Sequence, residues 1–247
     1  MIGVFDSGVG GLYALRALRA CLPDADLLYF GDVRNLPYGS REPWELLALG
    51  RRAIHLLQAH GARAVLSACG TVSSVALPAL RRSTSLPLYG ILEAMVEAAA
   101  QDGGGEILLL ATEATVRAGR LAAMLEDRCH ARVSALACPA FVTMAEEGVW
   151  QPEVARSILA AVQDTQPGTV VLGCTHFSRF AREIGDLFRG ARLIDGAREA
   201  ACAMAAALPP SLWQGSGQCT VFSSGGDGRL FEACEEIYGK CFQAGHI

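Results

Sequence analysis

Short apolar runs alternate with longer amphipathic stretches along almost the whole chain. Ile2–Phe5, Leu27–Gly31, Ala64–Ser67, Leu88–Ile91, Ile107–Ala111, Arg132–Ala137, Val170–Leu172 and Arg192–Ile194 read as strands. Between several of them, Leu12–Leu22, Pro43–His60 and Thr115–Glu126 carry apolar residues at helical spacing. This alternation predicts an α/β protein with parallel sheets flanked by helices. Several strands are unbroken apolar runs, as expected where both sheet faces are covered.

Two units are expected. Gln-Asp-Gly-Gly-Gly at Gln101–Gly105 is a polar break after the helical pattern Glu93–Ala100. A second crossing is expected near Leu208-Pro209-Pro210, followed by one more strand in Gln218–Ser223 and a last helix in Leu230–Lys240. The first unit is therefore drawn as 1–95 completed by 206–247, and the second as 96–205. An internal echo links them. Ala64-Val-Leu-Ser-Ala-Cys69-Gly-Thr71 and Val170-Val-Leu-Gly-Cys174-Thr-His176 each run an apolar strand into a small residue, a cysteine and then hydroxyl or imidazole groups. Open α/β sheets collect ligands at the carboxyl ends of their strands, so the echo suits a pseudo-symmetric site between the units.

Composition narrows the chemistry. The 247 residues, about half of them apolar, suffice for sizeable cores, and a net charge of −4 without basic clusters argues against a nucleic-acid partner. The only lysine is Lys240, near the C-terminus, which speaks against a pyridoxal phosphate Schiff base. The chain enters its first strand at once and its apolar stretches are short for a membrane span, so neither a secretory signal nor a membrane partner is expected and the location is expected to be cytoplasmic. Nine scattered cysteines with no CxxC predict mostly buried free thiols rather than a disulfide scaffold.

Five segments carry candidate chemistry. In Val4-Phe-Asp-Ser-Gly-Val-Gly-Gly11, Asp6 and Ser7 leave a strand and the glycines permit a tight turn into a helix. Its N–H groups would suit an anion, or Asp6 would act as a cap. Tyr13 stands where a dinucleotide fingerprint needs its third glycine. In Phe30–Ser40, Pro37-Tyr38-Gly39 makes a rigid turn, and Asp32 with Arg34 suits a loop ion pair. The two cysteine segments come next. A thiol beside a base or a helix N-terminus is expected to fall from roughly 8.5 towards neutrality and become a general base. Asp6 is the candidate partner for Cys69 and His176 for Cys174, against the alternative of inert buried cysteines. Cys174-x-His176 has no second pair at ligand spacing, so no metal is expected. Last, Cys138-Pro-Ala-Phe-Val-Thr-Met-Ala-Glu146-Glu147-Gly148 offers a carboxylate that tunes an acid/base group or merely ends a helix in solvent.

Together these segments resemble the glutamate racemases of the aspartate/glutamate racemase superfamily, over nearly the whole chain and in order. Ile2–Gly11, Tyr29-Phe-Gly-Asp32 with Pro37-Tyr-Gly39, and Leu172-Gly-Cys-Thr-His176 carry the likeness. Ala111–Thr115, Cys138–Val142 with Glu146, and Ile194-Asp195 add to it. The resemblance implies two flavodoxin-like parallel-sheet domains with pseudo-two-fold symmetry and an interdomain site. It implies a cofactor-independent isomerase, often a homodimer, that interconverts L- and D-glutamate for peptidoglycan synthesis, hence cell wall biogenesis and cell shape. By position, Cys69 and Cys174 act on opposite enantiomers, the N-terminal cysteine usually on the D form. Asp6 assists Cys69, His176 assists Cys174, and Glu146 modulates. Asp6, Ser7, Pro37, Tyr38, Gly39, Gly70, Thr71, Thr112, Thr115, Thr175 and His176 are the implied substrate contacts. Such chemistry needs a base on one face of the α-carbon and an acid on the other, which two facing thiols supply.

This chain departs from the family's pattern in places. Ala68-Cys69-Gly70-Thr71 stands where the family has Ala-Cys-Asn-Thr, and one missing substrate hydrogen bond is worth about 1–3 kcal/mol. Phe177-Ser178 replaces an aromatic-Pro pair, and Ala111 and Ala118 replace Gly and Ser. A racemase for another amino acid such as aspartate, a non-catalytic regulatory relative, and a thiol-redox enzyme remain as alternatives.

Overall fold

The computed structural model describes residues 1–101, 105–162, 165–225 and 228–245. Its ten strands are β1 (Ile2–Asp6), β2 (Leu27–Gly31), β3 (Ala64–Ser67), β4 (Leu88–Gly90), β5 (Gly105–Ala111), β6 (Ala131–Ala137), β7 (Thr169–Leu172), β8 (Arg192–Asp195), β9 (Cys219–Ser223) and β10 (Gln243–Ala244). They form two wholly parallel sheets, ordered β10-β9-β2-β1-β3-β4 and β6-β5-β7-β8. Counted from its own first strand, each sheet contains the order 2-1-3-4, the flavodoxin-like winding that the resemblance implied. The return of β9 to the first sheet, beside β2 with β10 outside it, fits the strand expected in Gln218–Ser223. Of the break at Gln101–Gly105, residues 102–104 lie outside the described residues.

The helices are α1 (Gly11–Cys21), α2 (Pro43–Ala59), α3 (Gly70–Val75), α4 (Leu77–Arg82), α5 (Leu92–Ala100), α6 (Glu113–Ala118), α7 (Arg120–Cys129), α8 (Pro139–Glu147), α9 (Pro152–Leu159), α10 (Ala181–Leu187), α11 (Gly196–Ala207), α12 (Pro210–Trp213) and α13 (Arg229–Ile237). The single helix expected over Thr115–Glu126 is two. Gly119 takes φ +65°, a left-handed conformation that ends α6 and caps the start of α7. In α1, Leu12, Leu15 and Leu18 recur at helical spacing and are fully buried. Each such burial contributes about 1.5–3 kcal/mol.

Both faces of both sheets are covered, which explains the continuous apolar strands. Phe5, Phe30 and Val65 pack under α2, α3 and α4 on the outer face of the first sheet. Leu108, Leu110 and Val170 pack under α8, α9 and α10 on the outer face of the second. The inner faces share one core through α1, α5, α7, α11 and α13, so the halves are joined by a common helical layer. Among the described residues, no helix is long and apolar enough to cross a membrane.

Candidate active site

The two cysteine segments occupy equivalent places. Ala68 N–H donates to Phe5 C=O at 2.9 Å, and Gly173 N–H donates to Leu110 C=O at 2.8 Å. In each half, then, the residue before the cysteine extends the ladder between the third strand and the first. Cys69 and Cys174 follow directly, at the carboxyl ends of β3 and β7. Strand order reverses between the first and third strands of a 2-1-3-4 sheet, and ligands bind in the crevice there. The two crevices meet. They enclose a cavity of about 210 Å³ lined by both cysteines together with Asp6, Ser7, Pro37, Tyr38, Gly39, Gly70, Thr71, Thr112, Thr175 and His176.

The same register makes Ala111 the counterpart of Asp6, and Thr112 the counterpart of Ser7. The site is therefore asymmetric in its carboxylates. On the first side, Asp6 is buried and accepts from Gly11 N–H at 2.8 Å, while Thr175 Oγ1 lies 3.4–3.5 Å from its oxygens. Burial pushes the Asp6 carboxyl up, against the pull of His176 and the Gly11 N–H. On the second side, Ala111 offers no carboxylate at the position of Asp6. His176, buried behind Cys174, supplies the partner instead, its Nδ1 3.6 Å from Cys174 Sγ and its Nε2 2.5 Å from Glu146 Oε1. Burial alone would lower the His176 pKa, but the bonds to Cys174 and Glu146 outweigh it and hold the ring well above its ordinary value. Burial likewise opposes ionisation of Glu146, yet the His176 bond and the Val9 N–H keep its carboxyl below the usual glutamate range. An imidazolium donates from both nitrogens, so the pair is a relay from Glu146 through His176 to the sulfur.

Three expectations need correcting. The glycine turn is not wholly open to an anion, because two of its amides are already spent on carboxylates of this chain: Gly11 on Asp6, and Val9 on Glu146 Oε1 at 3.1 Å. Nor do Gly8, Gly10 and Gly11 adopt left-handed φ. They serve close approach: a Cβ on Gly10 would come within 2.7 Å of His176 N and Thr175 Oγ1. Second, Cys69 does not fall towards neutrality. Its burial, reinforced by the neighbouring Asp6 charge, pushes the thiol well up, and the amides of Thr71 and Val72 only partly compensate. Desolvation outweighs a one-turn dipole here. Third, Asp32 is not paired with Arg34. It accepts from Tyr38 OH at 2.7 Å and from Asn35 Nδ2, which fixes the buried phenol beside the cavity.

Thr115 and Glu146 do not line the main cavity. Thr115 Oγ1 accepts from Thr112 Oγ1 at 3.0 Å and its N–H is capped by the same hydroxyl, so it orients Thr112. Thr112 in turn meets Thr71 Oγ1 across the cleft at 2.9 Å. Glu146 is no solvated helix end; it reaches the first half through Val9. Leu36, Ser40, Glu113, Pro139, Ala140, Val142 and Thr143 also line the cavity and were not singled out as contacts. The only signal for the last four was their place in the segment after Cys138 and beside it in α8, where one helical face turns inward.

Gly70 gains an explanation. A Cβ there would fall far inside the 3.0 Å that real Cβ atoms essentially never cross, against the Gly173 carbonyl oxygen. The two cysteine-bearing loops touch backbone to backbone, at residues immediately next to each thiol.

Against known proteins, a family model described as Asp/Glu/Hydantoin racemase matches residues 14–204. The chain belongs to the Asp/Glu/hydantoin racemase family. Within this family, a glutamate racemase of Gloeobacter violaceus is 38% identical over 240 residues, covering 94% of this chain and 90% of its own. A crystal structure of the Thermus thermophilus glutamate racemase, in complex with β-chloro-D-alanine, superposes with a TM-score of 0.85 at 34% identity, covering 100% of this chain and 96% of that one. A glutamate racemase isoform from Bacillus anthracis matches at a TM-score of 0.92 and 24% identity, over 100% of this chain and 97% of that one, a likeness of fold. The family and the cleft at the paired switch points point to one kind of chemistry, inversion at a carbon held between two acid/base groups.

Proposed function

We propose that this racemase-family chain interconverts L- and D-glutamate without a cofactor, supplying D-glutamate for peptidoglycan. One observation carries the proposal: Cys69 and Cys174 stand at equivalent strand ends of two like sheets and line one small cavity. The relatives are glutamate racemases, and the match over most of the chain supports the choice of substrate.

In this reading, the two units, 1–95 with 206–247 and 96–205, present one thiol to each face of the substrate α-carbon. Cys69, held protonated by its burial, is the acid when Cys174 is the base, and the roles exchange for the other enantiomer. The relay of Glu146 and His176 serves Cys174, and Asp6 serves Cys69. The α-proton of a zwitterion is a very weak acid, so the remaining stabilisation comes from orientation and from dipoles aimed at the developing charge. Ser7, Tyr38, Gly39, Thr71, Thr112 and Thr175 are the groups we assign to the carboxylates and ammonium. We place the enzyme in the cytoplasm, where its nine free thiols persist, as a homodimer whose mass sedimentation analysis would report.

The test is incubation of the purified protein in deuterium oxide with L-glutamate, D-glutamate and both aspartate enantiomers, without added cofactor. Racemisation with α-deuterium uptake on glutamate is expected. Exchange on aspartate alone would move the chain to the aspartate reading, and no exchange on any of the four would refute the function.

A further inference from the structure

Two thiols that the racemase chemistry does not use lie together far from the cleft. Cys21 is the last residue of α1 and Cys202 lies in α11; both are exposed, and their sulfurs are 3.4 Å apart. The helices belong to different halves. α1 springs from the turn that follows Asp6 at the end of β1, and α11 follows β8, with Gly196 packed on the Leu172 carbonyl. They meet in the shared core through Leu15 and Leu18 on one side and Ala197, Ala201 and Met204 on the other. Gly10, which caps the start of α1, abuts His176, so Cys21 lies about 16 Å further along the same helix.

We propose that Cys21 and Cys202 are a reversible disulfide-forming pair that clasps the two halves at the closed spacing of the cleft. A disulfide needs an S–S distance of about 2.05 Å, so surface side chains must close a gap of little more than 1 Å. The oxidant is a low-molecular-weight disulfide such as oxidised glutathione. One protein thiolate attacks it, forming a mixed disulfide and releasing one small thiolate. The neighbouring thiol gives up its proton, attacks the protein sulfur of the mixed disulfide and expels the second small thiolate. Two protein thiols are thereby oxidised by two electrons, one small disulfide is reduced to two thiols, and the two protein protons pass to them. Partial burial and the shared sulfur contact push the Cys21 thiol up to about 11, with Arg198, one turn before Cys202, acting against them. The resting pair is therefore the reduced, protonated one.

The bond would close a loop between residues 181 apart in sequence and fix α1 against α11, and on this proposal it restrains any opening of the cleft. Wild type, Cys21→Ser and Cys202→Ser are incubated at neutral pH with increasing ratios of oxidised to reduced glutathione, then mapped by mass spectrometry without reduction. Exposed Cys241 reports that the oxidant acts, by gaining glutathione. The wild type is expected to yield a peptide joining Cys21 to Cys202, a thermal midpoint raised by about 5–10 °C, and a loss of racemase activity that dithiothreitol restores. Neither variant should show these changes. Absence of the joined peptide when Cys241 is fully modified would overturn the pair. A joined peptide with unchanged activity, or equal activity loss in the Cys21→Ser variant, would overturn the clasp. The peptide map and the midpoint do not depend on the racemase reading, so its failure would be seen separately.

Discussion

The two cysteine loops approach closely at Gly70, and Gly70→Ala perturbs the contact with a single methyl group. The new Cβ would sit about 1 Å inside the 3.0 Å limit for real Cβ atoms, against the carbonyl oxygen of Gly173. That oxygen is backbone and has no rotamer to escape into. Overpacking of this kind costs about 1–3 kcal/mol. Alanine in the first turn of α3 returns about 0.5–1 kcal/mol of helix preference. The net is a loss of up to about 2.5 kcal/mol, which in a chain of this size lowers the thermal midpoint by up to roughly 10 °C. Activity should suffer more. Gly70 follows Cys69 and Gly173 precedes Cys174, so relief of the clash drives the thiols apart, and a misplacement of about 1 Å costs about 100-fold in rate. Gly185→Ala, in α10 where a Cβ meets nothing within 4 Å, is the matched control. It should raise the midpoint slightly and leave kcat/KM as in the wild type. Differential scanning fluorimetry and a coupled racemase assay read both quantities. A Gly70→Ala variant with wild-type midpoint and wild-type kcat/KM would refute the reasoning.

Further predictions concern the two carboxylates. In Glu146→Gln, the His176 imidazolium loses its anion, costing about 1.5–3 kcal/mol by chemical denaturation. The sign with pH follows from the shifts. The raised His176 contributes stability that is full below its ordinary 6.5 and fades as pH rises through its folded value. The lowered Glu146 contributes above its ordinary 4.5 and fades as pH falls through its folded value. The pair therefore stabilises most between about 4.5 and 6.5, so the variant should lose most there, and its pH–stability curve should be flatter than the wild type's below 4.5 and above 6.5. In Asp6→Asn, the amide oxygen keeps the Gly11 bond. Because the raised Asp6 costs stability as pH rises above its ordinary 3.8, the variant should be at least as stable as wild type at pH 7. Its racemisation should fall by about 10²–10⁴-fold; a fall in stability with full activity would assign Asp6 a capping role alone. In Gly10→Ala, His176 is displaced from Cys174, and kcat should drop without a change in the Cys69 environment, as read by alkylation of Cys69.

Much of this was legible in the chain because parallel strands covered on both faces admit few polar residues. The runs at Leu27–Gly31 and Ala64–Ser67 could be read to the residue. The cysteine echo was legible for a related reason: a strand end is where small and polar residues resume. What stayed hidden was the pairing between distant segments. Gly8 and Gly10 read as turn residues, whereas they make room for Glu146 and His176, 138 and 166 positions further on by sequence number. For Glu146 the pattern left open whether it tunes an acid/base group or ends a helix in solvent, because its partner Val9 offers only a backbone N–H, which no side-chain pattern announces. The thiol shift at Cys69 was read with the wrong sign, since sequence places a helix start beside the sulfur but does not reveal how completely the sulfur is desolvated. β10, two residues long, carries no pattern at all.

The central claim is that two thiols act on opposite faces of one carbon. It is tested most directly by following α-deuterium uptake and loss of optical rotation together, from each glutamate enantiomer in deuterium oxide, in Cys69→Ser and in Cys174→Ser. Two-base inversion predicts that neither variant racemises, each having lost the acid or the base on one face, while both keep the wild-type fold. Near wild-type racemisation by either variant would contradict it.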